Sequence, residues 1–444
     1  MKTKNILVIS IDTIGSHLGG AGLRYLAIAK GLADAGFCVK LAVPNPDFPQ
    51  IDSLEIFQYQ HSQDLRIKNV IRETDIIIAS GYLIEKIKYL RNCQARLVLD
   101  LYDPFLLENL FYNQDLSEEL RSIIHLRSVS ITNQLMRWGD FYLCGNERQR
   151  DFWLGVLAAN GRINPLQFIS DPTFYGLIDI MPVGIEQTSI ATENYLIGRH
   201  TSFPIGSKII LWGGGVWDWL DPLPLIKVWK AVLRQHPQAR LVFLGLNHPN
   251  PSVPLHKKSV ELQKEIKKSG ELNSSIFLFD WLDYEDRKRL LAEAHIGVTL
   301  YDPHIETRFS IRTRVIDYFS AGLPVLINAG DILADWIKTD GGGMVVDAYD
   351  IQGLETTLVT MLYKEKSEFK DGLECISARL IWKNNLQPLI NYCRSGDFAA
   401  DRTWSRKMLP NKLVLNSIDF SWIILRLQEM NNFIRTKKTR SRKP

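Results

Sequence analysis

Short apolar runs alternate with amphipathic stretches along most of the chain, and the alternation predicts a parallel α/β architecture. NILVISI (Asn5 to Ile11) has the form of a strand buried on both faces. A polar loop with glycines follows (DTIGSHLGGAG), then LRYLAIAKGLADAG with helical spacing that stops at Gly36, then VKLAVP as a second strand. This βαβ opening with a glycine-rich first turn marks a doubly wound sheet. Further strands are expected at Asp75 to Ala79, Arg96 to Pro104, Asp140 to Glu147 and Leu177 to Ile185. Between them, helices are expected at Tyr82 to Arg91, at Asp115 to Trp138 and over QRDFWLGVLAA.

Thr188 to Gly206 has no strong periodicity and holds Pro204 and Gly206, so it is expected to be a linker. After it the pattern repeats. SKIILWGGG (Ser207 to Gly215) is a strand entering three glycines, and PLPLIKVWKAVLRQHP is a helix with Pro222 near its start. ARLVFLG, IFLFDWL, IGVTLY and PVLIN follow as strands, with helices at Lys257 to Lys268, over DYEDRKRLLAEA and at Leu333 to Lys338. The expected organisation is a first domain over 1–187, a linker over 188–206, a second domain over 207–395 and a helical extension with a basic tail over 396–444. Two similar α/β halves in tandem create a cleft that one ligand can span.

Composition narrows the function classes. With 45% hydrophobic and 23% charged residues in 444, the chain has the balance of an ordinary globular protein of two or three domains. Six of the last ten residues are basic (Arg435, Lys437, Lys438, Arg440, Arg442, Lys443), and without them the net charge of +4 becomes slightly negative. The near-neutral body therefore speaks against non-specific nucleic-acid binding by the whole protein. The basic run is read either as a solubilising tail or as a contact with an anionic membrane, at about 1 kcal/mol per basic residue near the surface. Five scattered cysteines without a CxxC pair speak for a reducing compartment and against zinc or disulfides. The N-terminus is too short in its apolar run for a signal peptide, and no run of about 18 apolar residues occurs, so a cytoplasmic location is expected.

Candidate chemistry concentrates in HIETRFSIRTRVIDYFSAGLPVL (His304 to Leu326). Arg308, Arg312 and Arg314 fall close together, and the spacing predicts a helix over Ser310 to Ser320 stopped at Gly322. Guanidinium forks beside a helix N-terminus suit a diphosphate, and Asp317 one turn further on suits a ribose diol. The alternative is a solvated helix face with an Arg314–Asp317 ion pair at i,i+3. In open α/β sheets ligands sit beyond the carboxyl ends of the strands, a rule that marks Gly19 and Gly20, Asp100 and Asp103, Asn146 with Arg148, and Pro182 to Gly184. His17 shares the first of these loops. Gly213 to Gly215 let a phosphate approach backbone N–H groups, but Trp217, Asp218 and Trp219 stand where a P-loop would carry lysine and serine. The first turn also lacks the G-x-G-x-x-G of a dinucleotide fold.

With both halves in view, the chain resembles the GT-B glycosyltransferases, most closely glycosyltransferase family 4. The resemblance lies in the Gly19–Gly20 turn, the PVGI ending of the first half, the strand-plus-glycine opening of the second, and above all DYFSAGLPV (Asp317 to Val325). It covers roughly residues 5 to 395 and implies two Rossmann-like domains facing a central cleft. It further implies retaining transfer of a sugar from a nucleotide-diphosphate donor to a saccharide or lipid-linked acceptor, in bacterial surface polysaccharide or glycolipid assembly. No tightly bound cofactor or metal is implied. Asp317 would hold the ribose, Gly214 and Gly215 would meet the diphosphate, and Gly20 would approach it from the other side. Arg308, Arg312 and Arg314 would clamp the diphosphate, with Arg312 acting on the leaving group, and Asp100 and Asp103 would hold sugar or acceptor hydroxyls. The chain departs from the pattern at Phe309, where the family carries a glutamate eight residues before the second acid; the nearest acid is Glu306. A non-catalytic nucleotide-sugar binder of the same fold is the alternative. A sugar-nucleotide epimerase would need more histidines in the first half.

Overall fold

The computed structural model describes residues 3–15, 19–60, 64–112, 116–186, 190–246, 256–347 and 349–407. His17, the start of the expected linker and the basic tail lie outside the described residues.

The first domain is built on seven strands: β1 (Asn5–Ile9), β2 (Cys38–Val43), β3 (Glu55–Gln58), β4 (Ile76–Ser80), β5 (Arg96–Asp100), β6 (Phe141–Cys144) and β7 (Ile178–Ile180). Their order is β3-β2-β1-β4-β5-β6-β7, with every pairing parallel. The second domain has six: β8 (Lys208–Trp212), β9 (Ala239–Leu244), β10 (Ile276–Phe279), β11 (Ile296–Thr299), β12 (Val325–Asn328) and β13 (Gly343–Val346). They run β10-β9-β8-β11-β12-β13, again all parallel. Central strands such as β1 are apolar on both faces because helices cover both sides; Leu7, Val8 and Ile9 are fully buried. In each sheet the strand order reverses beside the domain's first strand, so the loops leaving β1 and β8 open at the switch point where α/β ligands bind.

Several elements differ from the sequence expectation. β3 and the helix Leu65–Arg72, capped by Asp64, were not foreseen. The span Tyr82 to Arg91 splits into a helical turn Leu83–Lys86 and a 3₁₀ turn Lys88–Asn92. A helix Phe105–Tyr112 follows Asp103-Pro104 directly. The segment 190–206 is strapped to the second domain rather than free. The Glu293 carboxylate accepts from the N–H groups of Tyr195, Leu196 and Ile197 at 3.1, 2.8 and 3.2 Å, and Leu196 and Phe203 are buried.

The helix Gln387–Ser395, expected in the second domain, packs on the first. Tyr392 stacks on Phe141 with ring centroids 4.3 Å apart, and the Lys4 ammonium donates to the Cys393 carbonyl at 2.9 Å. Beyond it, Asp401 is fully buried against Arg162, with both oxygens bonded at 2.8 and 2.9 Å. The chain therefore crosses between domains twice. The crossings touch, Ile185 N–H donating to the Leu380 carbonyl at 2.6 Å and Trp382 N–H to the Ile185 carbonyl at 3.3 Å. Gly184 is required there, since a Cβ would lie 2.3 Å from the Trp382 ring. Among the described residues no helix is long and apolar enough to cross a membrane.

Candidate active site

The segment after β11 shapes the cleft. It forms a short helix Ile305–Phe309, an extended break at Ser310 to Arg312, and a second helix Thr313–Ser320. The continuous helix expected from Ser310 is thus corrected: Ser310 (φ −77°, ψ 159°) and Arg312 (φ −79°, ψ 103°) are extended. The break turns Ile311 toward the first domain, where its carbonyl accepts from the Tyr102 hydroxyl at 3.1 Å. Gly322 ends the second helix at φ +62°, a left-handed conformation that favours glycine.

Two helix N-termini meet across the cleft. A Cβ on Gly20 would lie 3.2 Å from Cγ2 of Thr313, so the absence of a side chain permits the approach of the helix Gly20–Asp34 to the helix Thr313–Ser320. Neither helix has a side-chain cap or an acidic residue in its first turn, unlike helices begun by Asp64, Ser117, Asn146, Asp283 or Asp331. Free N–H groups and the positive ends of two macrodipoles therefore converge. Arg314 stands beside them. It donates to the Gly215 carbonyl, its guanidinium lies 5.0 Å over the Trp212 ring, and its Nη1 has no partner among the described residues. Burial, with Arg312 and Arg287 adding to it, pushes its pKa down to about 10. Gly215 N–H is without a partner among the described residues, whereas Gly214 N–H already donates to the Trp212 carbonyl at 3.0 Å.

The other arginines behave differently. Arg312 points both ends of its fork at Glu306, with Nη1–Oε1 3.0 Å and Nη2–Oε2 2.7 Å, in a pair buried on both sides. Arg308 is exposed and lines neither cavity of the cleft. Asp317 does not pair with Arg314 at i,i+3; it accepts from Arg287 of the helix Tyr284–Glu293 at 2.5 Å. Arg287 was not anticipated, because nothing local in DYEDRKRLL distinguishes it from a solvated cation. The pair opens on a cavity of about 100 Å³ that includes Tyr284, Gly184 and Trp382.

A second cavity of about 190 Å³ lies between the domains, lined by Gly20, Asp103, Glu108, Glu306 and Arg312 to Arg314. Trp217 and Trp219 form one wall; their rings are stacked, 5.3 Å apart and 7° from parallel, and half-buried. Asp100 does not reach this cavity. Its carboxylate is buried and bound by Arg24 at 2.7 and 2.9 Å and by the Tyr25 hydroxyl at 3.2 Å, so it holds Arg24 rather than a ligand. Asp103 does line it. Desolvation and the Asp100 charge raise its pKa to about 6, against the pull of Arg24, although its side chain opens at the cleft mouth. Glu108, from the unforeseen helix after Pro104, is pushed well above the carboxylate range by burial and then by Asp103 and Glu306. Phe309 packs on Phe152, 5.1 Å between centroids, and its carbonyl accepts from Gln149 at 2.7 Å, so that position faces the domain contact and Glu306 takes the cleft. Gly19 is the N-cap of the first helix, and a Cβ there would lie 2.5 Å from the Asp12 carboxylate. Asn146 is an N-cap, bonded to Gln149 N–H at 2.9 Å, and Arg148 reaches across to the Gly330 carbonyl at 3.0 Å and to Asp335. Among the described residues no group of three or more histidine, cysteine, aspartate or glutamate side chains is placed to hold a metal ion.

No family profile matches the chain. Among curated proteins, chitobiosyldiphosphodolichol beta-mannosyltransferase of Yarrowia lipolytica is 30% identical over 69 residues, which are 16% of this chain and only 14% of that protein. Solved structures match over far more. Sucrose-phosphate synthase from Thermosynechococcus elongatus aligns over 88% of this chain and 98% of its own, with a TM-score of 0.60 and 14% identity. Anabaena HepE in complex with UDP-glucose aligns over 88% and 100%, with a TM-score of 0.55 and 15% identity. WaaG, a glycosyltransferase involved in lipopolysaccharide biosynthesis, aligns over 92% and 100%, with a TM-score of 0.53 and 14% identity. At such identities the likeness speaks for architecture: the chain has the GT-B fold, two Rossmann-like domains facing a cleft.

Proposed function

We propose that the protein is a glycosyltransferase that moves a sugar from a nucleotide-diphosphate donor to an acceptor hydroxyl. The observation that carries this reading is the meeting of two uncapped helix N-termini with the buried Arg314 at the Gly20–Thr313 contact. Such a cluster of N–H groups and one guanidinium complements a diphosphate. Gly215 N–H adds to it, while Gly214 shapes the turn. The ribose diol then falls to Asp317, steadied by Arg287, and the sugar ring to the cavity walled by Trp217 and Trp219. Solved proteins of this fold include one in complex with UDP-glucose, which supports the same donor class here.

In this reading the bond between the anomeric carbon and the diphosphate oxygen breaks, and its electron pair leaves with the diphosphate. The acceptor oxygen forms its bond on the same face, and its proton passes to a donor phosphate oxygen, so configuration is retained. Arg314 and the helix ends stabilise the charge that develops on the leaving group without a metal. Arg312 acts at one remove, holding Glu306 in the cavity. The acceptor is a saccharide or a lipid-linked saccharide of bacterial surface assembly, handled in the cytoplasm, with the basic tail against the inner membrane face.

The test is a panel of UDP-, GDP- and ADP-sugars with saccharide and lipid-linked acceptors, following nucleoside diphosphate release and the anomeric configuration of the product. Failure of every nucleotide to bind would remove the reading. Binding without turnover would favour a second one, a catalytically silent nucleotide-sugar binder, which the Arg287–Asp317 pair and the aromatic residue at Phe309 support.

A further inference from the structure

The cavity between the domains is walled partly by the turn after β5, which brings Tyr102 and Asp103, and partly by the break that brings Ser310 to Arg314. One side chain joins the two. Gln149 is fully buried, and its amide nitrogen donates to the Tyr102 carbonyl at 2.8 Å and to the Phe309 carbonyl at 2.7 Å. Tyr102 belongs to the first domain; Phe309 belongs to the second, midway in sequence between Glu306 and Arg312. The amide oxygen accepts from Gly145 N–H at 2.6 Å, which fixes the orientation, since a flipped amide would set its oxygen against two carbonyls. Gly145 leaves the room for this junction: a Cβ there would lie 3.1 Å from Gln149, Tyr102 and Ile311 alike.

Gln149 is the third residue of the helix Glu147–Ala159, whose N-cap is Asn146. A glutamine at that place commonly turns its side-chain oxygen back to a backbone N–H before the helix, and capping needs no more of it. The two amide hydrogens are therefore surplus to capping, and both go to the link between the domains. Parting the domains leaves that link unmade, so it is complete only when the cleft is closed.

We infer that Gln149 is a positioning residue of the transfer reaction: its two amide hydrogens set the spacing at which the turn bearing Asp103 faces the break bearing Arg312 and Arg314, and so complete the sugar subsite. This deepens the proposed function and rests on it. Gln149 itself lines neither cavity of the cleft. The diphosphate is left to Arg314 and the helix N-termini, and the ribose to Asp317. Removing the link therefore keeps the nucleoside diphosphate bound and misplaces the groups around the sugar, an effect on kcat rather than on diphosphate affinity.

The experiment compares the full wild-type chain with Gln149→Glu and Gln149→Met. Glutamate keeps the oxygen that Gly145 N–H needs and loses the bridging hydrogens; methionine loses both. Binding of UDP, GDP and ADP is measured by calorimetry, and kcat by nucleoside diphosphate release from the sugar nucleotide that the wild type turns over. Both variants are expected to lose roughly ten- to a hundredfold in kcat, the effect of reacting groups misplaced by about an ångström, with the Kd of the bare diphosphate within about threefold of the wild type. That retained binding also certifies the fold. A wild-type kcat in Gln149→Glu would make the residue a helix cap only and overturn the inference, as would a loss of kcat matched by an equal loss of diphosphate affinity. Should both variants fail to fold, Tyr102→Phe decides, because it removes only the hydroxyl bond to the Ile311 carbonyl across the same gap. A several-fold lower kcat with diphosphate binding kept supports the link, and an unchanged kcat overturns it. A wild type that binds a nucleoside diphosphate but turns over no sugar nucleotide overturns a role in transfer and leaves the donor site standing, whereas one that binds none overturns the donor reading itself.

Discussion

Glu306 and Arg312, six residues apart in sequence, close on one another as a two-bonded ion pair across the break between two short helices, with side-chain exposures of 1% and 7%. A guanidinium so engaged holds the floor of the cleft. Arg312→Ala strands a buried carboxylate, and about 3–5 kcal/mol of stability should be lost, read by urea unfolding without ligand. The double variant Glu306→Gln/Arg312→Met should recover much of that loss. A stability of Arg312→Ala equal to the wild type would mean the pair is open and Arg312 free to meet substrate.

Arg314 is the guanidinium placed for phosphate. Arg314→Met should weaken nucleoside diphosphate binding by roughly ten- to a hundredfold, the worth of a charge-assisted hydrogen bond of about 1.5–3 kcal/mol. The unphosphorylated nucleoside should bind as before. Calorimetry with the two ligands separates a lost phosphate contact from a general disturbance.

The Gly20–Thr313 contact predicts a steric effect. Gly20→Ala puts a methyl 3.2 Å from Cγ2 of Thr313, tighter than side chains tolerate without movement. The domains should be wedged apart, raising the KM for donor several-fold with little change in melting temperature. Thr313→Ala in the same chain removes the obstructing atoms and should restore the KM.

Asp103 predicts a pH effect with a definite sign. Its folded pKa of about 6 lies above the ordinary 3.8, so the folded state binds the proton more tightly than the unfolded chain. The stability it contributes is fully present below about pH 3.8 and is lost as pH rises through about 6. Asp103→Asn should flatten that part of the curve, visible as a melting-temperature difference from wild type that changes between pH 4 and 7. A parallel pair of curves would show that Asp103 titrates normally.

The repeating architecture was legible because its strands are buried on both faces. NILVI and KIILW announce themselves as uninterrupted apolar runs, and the glycines after them mark the cleft. EIFQ was not legible: β3 is four residues at a sheet edge with only Phe57 buried, and carries too little pattern. The helix break at Ser310 was hidden because Val315 and Phe319 continue a spacing that Ile311 begins, while Ile311 is claimed by the first domain. Side-chain partners were the least readable. Asp100 looked free at a strand end but is taken by Arg24 from the helix Gly20–Asp34, and Asp317 by Arg287, thirty residues earlier. Such pairings are set by the packing of whole elements, which spacing along one segment does not encode.

The paired crossings at Ile185 and Ile381 have a mechanical consequence. Two chain segments joined edge to edge form a two-ply spine, stiffer in torsion than one strand would be. A swivel of one half against the other would strain both segments and the Ile185–Leu380 and Trp382–Ile185 hydrogen bonds at once. The spine thereby fixes the alignment in which Gly20 meets Thr313 on the far side of the cleft.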